Sequence, residues 1–399
     1  MDEDLYQASI NLHRKFRGKL DSYGKMPLKS REDLSLLYTP GVAGPCKEIA
    51  KNPEALWELT SRRDWVAVIT DGSSVLGLGD IGPAAGMPVM EGKCLIFKEF
   101  GGLNAFPIGL KTKNIDEFVE AVKLISLSFG AVNLEDISAP RCFEIERRLK
   151  AELDIPVMHD DQHATAIVAM AGLINAFTLT GRSFETARFV ISGFGAAGTA
   201  VMNMLLVLGA TDIIVADRKG IVHQERSELD HWRRSLAAYT NLGNERGTLA
   251  DAVVERDVFI GVSGAGVLDE KMIRTMAPNP IIFALANPTP EVMPDVAYRA
   301  GAAIVATGRS DFPNQVNNAL VFPGLFKGVL EARAPQITEY MKLAAARALA
   351  GLVQTPSRDN IIPDIFDEGV VRAVSHAVLT AAMKSALTVT PSSLTSLPQ

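Results

Sequence analysis

The sequence predicts an α/β protein: an N-terminal α/β catalytic domain followed by a Rossmann-like dinucleotide-binding domain, with C-terminal helices closing the structure. Three observations predict it. Short, buried-type apolar runs alternate with amphipathic segments along most of the 399 residues, the pattern of parallel sheets. A strand, a glycine turn, a helix and an acid-ended strand follow each other over residues 188–217. Two apolar runs each end in a pair of acids, Glu135-Asp136 and Asp160-Asp161.

Length and composition set the frame. A chain of this size suggests two large units. We expect boundaries at 1–162 for the first domain, 163–325 for the dinucleotide domain and 326–399 for the closing helical segment. Hydrophobic content of 47% and charged content of 22% suit a globular protein. A net charge of −6 offers nothing to nucleic acid or an anionic membrane. Cys46, Cys94 and Cys142 are scattered without a Cys-x-x-Cys pair, which fits a reducing, cytoplasmic setting. The acidic start, Met1-Asp-Glu-Asp-Leu5, lacks the apolar core of a signal peptide. Residues 164–179 are the most membrane-like, but they are short and carry Asn and Thr, so a buried helix is expected. The Ser/Thr/Pro tail over 388–399 is expected to fray.

Taken in order, residues 1–30 read as one or two surface helices and a candidate oligomer contact. Residues 36–45 read as a Pro/Gly loop around Tyr38. Residues 65–70 read as a buried strand leading into a glycine-rich stretch over 71–88, where backbone passes close to something. A helix is expected over 91–100, a strand over 105–110 and an amphipathic helix over 114–129.

The centre of the chain lies at 131–165. Strand, helix (141–153) and strand follow in turn, so the two strands should be parallel neighbours, about 4.8 Å apart. Both acid pairs then share the carboxyl edge, where open α/β sheets hold ligands. Carboxylates crowded there repel unless a cation joins them, and oxygen ligands suit Mg2+ or Mn2+. The blander alternative is that some of them cap helices. His159 and His163 raise zinc, but one ends a strand and the other opens a helix, so they need not share a face.

From residue 186 the pattern restarts. Residues 188–192 form a strand, Gly193-Phe-Gly195-Ala196-Ala197-Gly198 the turn, 199–208 a helix and 212–217 a strand ending in Asp217. That context makes the glycine motif a dinucleotide fingerprint. Gly193 allows the turn, Gly195 lets the pyrophosphate approach, and Gly198 lets helix meet strand. Asp217 favours the ribose of NAD, while Arg218 and Lys219 leave NADP possible. Strands over 258–262, 280–286 and 302–306 run into loops bearing Ser263, Asn287 and Asn317. Alanine-rich helices over 338–352 and 368–387 close the chain.

A dinucleotide fold beside a hard-cation site points to hydride transfer on a chelating substrate such as a 2-hydroxy acid. Six motifs then occur in order: Leu37-Tyr38-Thr-Pro-Gly-Val-Ala43; Thr70-Asp-Gly72 with Leu76-Gly-Leu-Gly-Asp80; Leu134-Glu-Asp136; His159-Asp-Asp-Gln-His-Ala-Thr165; Ala286-Asn-Pro-Thr289; and Asn317-Asn318 with Val321-Phe-Pro-Gly324. Together they resemble the malic enzymes in their compact bacterial and archaeal form, from about residue 21 to 387.

The resemblance implies oxidative decarboxylation of (S)-malate to pyruvate and CO2 with NAD(P)+ and Mg2+ or Mn2+, and a homo-oligomer, a homodimer first, is expected. It places Glu135, Asp136 and Asp161 as metal ligands, Lys93 as the base at the C2 hydroxyl, and Tyr38 as the acid at C3. It sets Asp160 beside the metal, tuning Lys93, and puts Asn287 and Asn317 on substrate and nicotinamide. A base working near neutral pH needs a lowered lysine pKa. Ser74 stands where longer members carry a carboxylate-binding arginine, and Lys98 or Lys111 are the substitutes in view. The alternatives are a metal-independent amino-acid dehydrogenase, a non-catalytic dinucleotide sensor and a simple oxaloacetate decarboxylase.

Overall fold

The computed structural model describes residues 2–75 and 77–388. Leu76 of the second motif and the tail beyond Thr388, expected to fray, lie outside the described residues.

The first sheet contains β1 (Trp65–Thr70), β2 (Asn104–Gly109), β3 (Ala131–Leu134) and β4 (Val157–His159) in the order β2-β1-β3-β4. All its pairs are parallel. Leu134 lies opposite both Ile69 and His159. The two acid pairs therefore leave the sheet at one edge, as the strand–helix–strand reading requires.

The second sheet contains β5 (Arg188–Ser192), β6 (Asp212–Asp217), β7 (Gly220–Ile221), β8 (Val258–Gly261), β9 (Ile281–Ala284) and β10 (Ile304–Thr307). Its order is β10-β9-β8-β5-β6-β7, parallel except for the short β7. The chain moves outward from β5 to β6 and later returns to β5's other side with β8. That reversal opens a crevice at the carboxyl ends of β5 and β8. The central residues of β5, β6, β8, β9 and β10 are buried and apolar, as in a parallel sheet covered on both faces.

The helix Asp160–Thr180 starts immediately after β4 and joins the two units. It is long and apolar enough to cross a membrane by composition, yet most of it is buried within the protein. It packs on Ala196–Val207 and on Glu339–Gly351. Phe322–Glu331 returns to the first unit, where Phe97 stacks at 4.7 Å from Phe322 and 5.3 Å from Phe326. Val370–Thr388 lies across both of the preceding helices. The closing helices thus buttress both units.

Two loop expectations are corrected. Within 36–45, only residues 38–42 connect helices Arg31–Leu37 and Ala43–Lys51. A reciprocal Ser30–Asp33 cap starts the first of these. Residues 82–88, expected as loop, open the helix Gly82–Gly101. Pro83 suits a first turn, and the burial of Met90, Cys94 and Phe97 sustains the helix despite Pro88. The N-terminal segment forms one helix, Asp2–Phe16, and Leu5, Tyr6, Leu12 and Phe16 are exposed.

Candidate active site

The site begins with backbone. Glu135 and Asp136 follow β3 directly, and Asp136 adopts a left-handed conformation at φ 55°. Its N–H donates to Asp161 Oδ2 at 2.9 Å, which binds the two acid pairs to each other. Asp160 and Asp161 occupy the first helical turn after β4, where carboxylates are favoured.

Oxygens of Glu135, Asp160 and Asp161 all lie within 4.8 Å of one another. Lys93 reaches them from the helix Gly82–Gly101. Its Nζ contacts Asp160 Oδ2 and lies 3.1 Å from Glu135 Oε1. Asn133 donates to Glu135 Oε1 at 2.7 Å, and Asn318 donates to Asp160 Oδ2 at 2.8 Å. Asp160 Oδ1 and Asp136 Oδ2 are buried without a partner. Such orphans in a cage of oxygens fit a hard divalent cation.

The expected ligand set is Glu135, Asp136 and Asp161. Oxygens of Glu135 and Asp161 meet here with Asp160 beside them, and Asp136 is joined to Asp161 through its N–H with its own Oδ2 buried and unpartnered. Lys93 is expected to be lowered beside a divalent cation. Burial does lower it, and the charges of Asp160, Glu135 and Asp161, which such a cation would offset, raise it above the ordinary lysine range. Sequence spacing could not show that three acids surround one ammonium. The acids respond to the same crowding. Burial and Asp160 push Glu135 well up, and burial and Asp161 push Asp136 up to about 7.

The dinucleotide turn follows β5. Gly193 has φ 117°, and a side chain there would meet Val262 O at 2.7 Å. At Gly198 a Cβ would lie 2.0 Å from Gly193 O, so helix Ala196–Val207 can start against the turn only without one. Ala196 and Ala197 open its first turn, whose N–H groups have no intrahelical carbonyl and no side-chain cap from Gly195. Gly195 caps it in extended conformation. Ser263, after β8, shares a hydroxyl contact with Ser192 at 2.8 Å. Asp217 ends β6, and both its oxygens accept from Arg226 at 3.0 and 2.9 Å. Arg226 was absent from the sequence reading, since nothing in the spacing points to it.

The two units meet through loops. Asn287 packs on Gly308, and its carbonyl backs on Gly77 of the glycine-rich stretch. Asn317 caps a short turn by accepting from Ala319 N at 3.0 Å. Its neighbour Asn318, quoted in a motif but given no role, is the residue that reaches Asp160. Tyr38 does not join this group in the single chain; it is 65% exposed. Of the two lysines in view for the substrate carboxylate, Lys98 donates to Asn104 Oδ1 at 2.9 Å and Lys111 follows β2.

Residues 17–150 match the family description "Malic enzyme, N-terminal domain", and residues 163–387 match "Malic enzyme, NAD binding domain". The chain is 50% identical over 384 residues to the bifunctional malic/malolactic enzyme of Bacillus subtilis, covering 96% of this chain and 94% of that one. It is 50% identical over 370 residues to an NAD-dependent malic enzyme of Geobacillus stearothermophilus, covering 92% and 77%. The crystal structure of the NAD-dependent malic enzyme from Thermotoga maritima superposes with a TM-score of 0.90 at 46% identity, covering 93% and 98%.

Proposed function

The chain belongs to the malic enzyme family, and from that premise we propose that it oxidatively decarboxylates (S)-malate to pyruvate and CO2 with reduction of NAD(P)+. The observation that carries this reading is Lys93 held by Asp160 and Glu135 inside an oxygen-rich cluster with buried, unpartnered carboxylate oxygens.

A bound divalent ion would supply Lewis-acid polarisation of the C2 oxygen, and a bound nicotinamide would supply the hydride acceptor. Glu135, Asp161 and the flanking acids Asp136 and Asp160 would hold the ion. Lys93 accepts the C2 hydroxyl proton, and Asp160, in contact with it, stabilises the ammonium that results. Tyr38 returns a proton to C3 once CO2 has left. Asn287 and Asn317 orient substrate against the nicotinamide ring. Gly193, Gly195, Ala196, Ala197 and Gly198, with Ser263, hold the dinucleotide phosphates and ribose. Asp217 favours NAD, with NADP tolerated through Arg218 and Lys219.

The protein is further proposed to be a homodimer. Leu34, Leu36, Tyr38 and Val42 are all exposed in the single chain. Docking that apolar face on a second copy would bury them and enclose Tyr38. A cytoplasmic location is proposed from three cysteines that form no disulfide. The division near residue 162, with substrate chemistry before it and dinucleotide binding after it, is part of the same reading.

The test is malate-dependent reduction of NAD+ and NADP+, with pyruvate measured, in Mn2+ and in excess chelator. Activity that disappears with chelator and returns with Mn2+ or Mg2+ is expected. Undiminished turnover in chelator would instead favour the metal-independent amino-acid dehydrogenase alternative.

A further inference from the structure

Behind the acid cluster lies a buried polar hub that the reaction does not use directly. Glu146, on helix Arg141–Glu152, is 6% exposed. Its carboxylate gathers donors from one short segment. His159 N donates to Oε1 at 3.0 Å, and Gln162 Nε2 donates to Oε2 at 3.3 Å. His163 Nε2 lies 2.9 and 3.0 Å from the two oxygens. Lys150 adds an ion pair at 2.9 Å. The residues gripped, 159, 162 and 163, bracket Asp160 and Asp161.

The hydrogen-bond directions follow from chemistry. An ionised carboxylate only accepts, so the Gln162 amide nitrogen must face Glu146. Its second hydrogen goes to His159 Nδ1 at 3.1 Å. That leaves His159 Nε2 as the N–H side, 3.3 Å from Asp161 Oδ2 and short of an aligned hydrogen bond. On the far side, His163 Nδ1 accepts from the buried Lys342 at 3.1 Å, and Lys342 also pairs with Glu339. The turn between β4 and the helix is thus tied to helix 141–152 and to helix 339–351.

We propose that Glu146 is a positioning residue that presets Asp160 and Asp161 for a divalent cation through Gln162 and His159. The inference rests on the metal reading above. Partners that orient ligand side chains govern metal affinity, typically by about 10–100-fold. A buried hub that merely stabilised the fold would lower the melting temperature and leave cation affinity alone.

The experiment is Mn2+ titration by electron paramagnetic resonance on the full chain, with NADH binding as a control on folding. Glu146→Gln and Gln162→Leu are compared with wild type and with Asp161→Asn. The expected result is Mn2+ binding weakened about 10–100-fold in both hub variants, with NADH affinity unchanged. Turnover at saturating Mn2+ should then recover to within a few-fold of wild type. A folded hub variant with wild-type Mn2+ affinity overturns the proposal while leaving the metal reading intact. Wild type and Asp161→Asn binding Mn2+ alike would defeat the metal reading and this inference with it. Should Glu146→Gln not fold, Gln162→Leu decides alone, because it cuts the path to the His159 ring and leaves the Glu146 contacts with His159 N, His163 and Lys150 in place.

Discussion

Asn318 donates its side-chain amide to Asp160 at 2.8 Å, joining residues 158 positions apart. Thr165 fixes the other end of that amide by donating to Asn318 Oδ1 at 3.0 Å. The loop after β10 in one unit thereby holds the acid that faces Lys93 in the other. Asn318→Ala should cost roughly 1.5–3 kcal/mol of stability, as a lost hydrogen bond to a charged group. Turnover should fall about 10–100-fold through misplacement of the pair. Steady-state kinetics with a denaturation curve would check both; wild-type kcat would show that the contact is incidental.

Lys93→Ala should lower kcat by about 10^2 to 10^4-fold while NADH binding, followed by fluorescence, stays as in wild type. The dinucleotide turn lies in the second unit and does not use this side chain. NADH production from malate at the wild-type rate would remove Lys93 from the chemistry.

Asp217 and Arg226 form a two-point pair at the end of β6. Asp217→Asn removes the charge that repels a 2′-phosphate and loosens Arg226. The ratio of kcat/KM for NADP+ to that for NAD+ should rise by about tenfold or more. An unchanged ratio would mean that neither residue reads the ribose.

Glu291 lies in the loop after β9 among backbone donors. Buried, it accepts from Ser263 N at 2.8 Å and Ala286 N at 3.0 Å, stapling the loops after β8 and β9. Glu291→Gln faces one of these N–H groups with an amide hydrogen, so KM for the dinucleotide should rise several-fold while KM for malate changes less. Burial raises this carboxyl above its ordinary 4.5, with the two N–H groups opposing. The folded chain therefore holds that proton more tightly than the unfolded chain. Its contribution to stability is present below 4.5 and is lost as pH rises through the folded value. Urea midpoints measured across that range should fall less steeply in Glu291→Gln than in wild type.

Much of the fold was legible because periodicity is local. β1, β5 and β6 fall on the residues expected, and the glycine turn sits where strand, helix and acid bracket it. The first half of helix 82–101, before residue 91, and the helices around residue 40 were not legible. Proline and glycine mark breaks in a sequence, whereas the burial of Met90, Cys94 and Phe97 that overrides them is a tertiary contact.

By itself, the sequence determined the parallel α/β architecture, the shared edge of the two acid pairs and the family, since each depends on residues close together in the chain. Only the tertiary structure decided that Asp160 converges with Glu135 and Asp161, that Lys93 reaches into these acids, and that Asn318 and Glu146 support the cluster. Those outcomes depend on side-chain direction and on the sum of charges across elements far apart in sequence, quantities that no spacing rule contains.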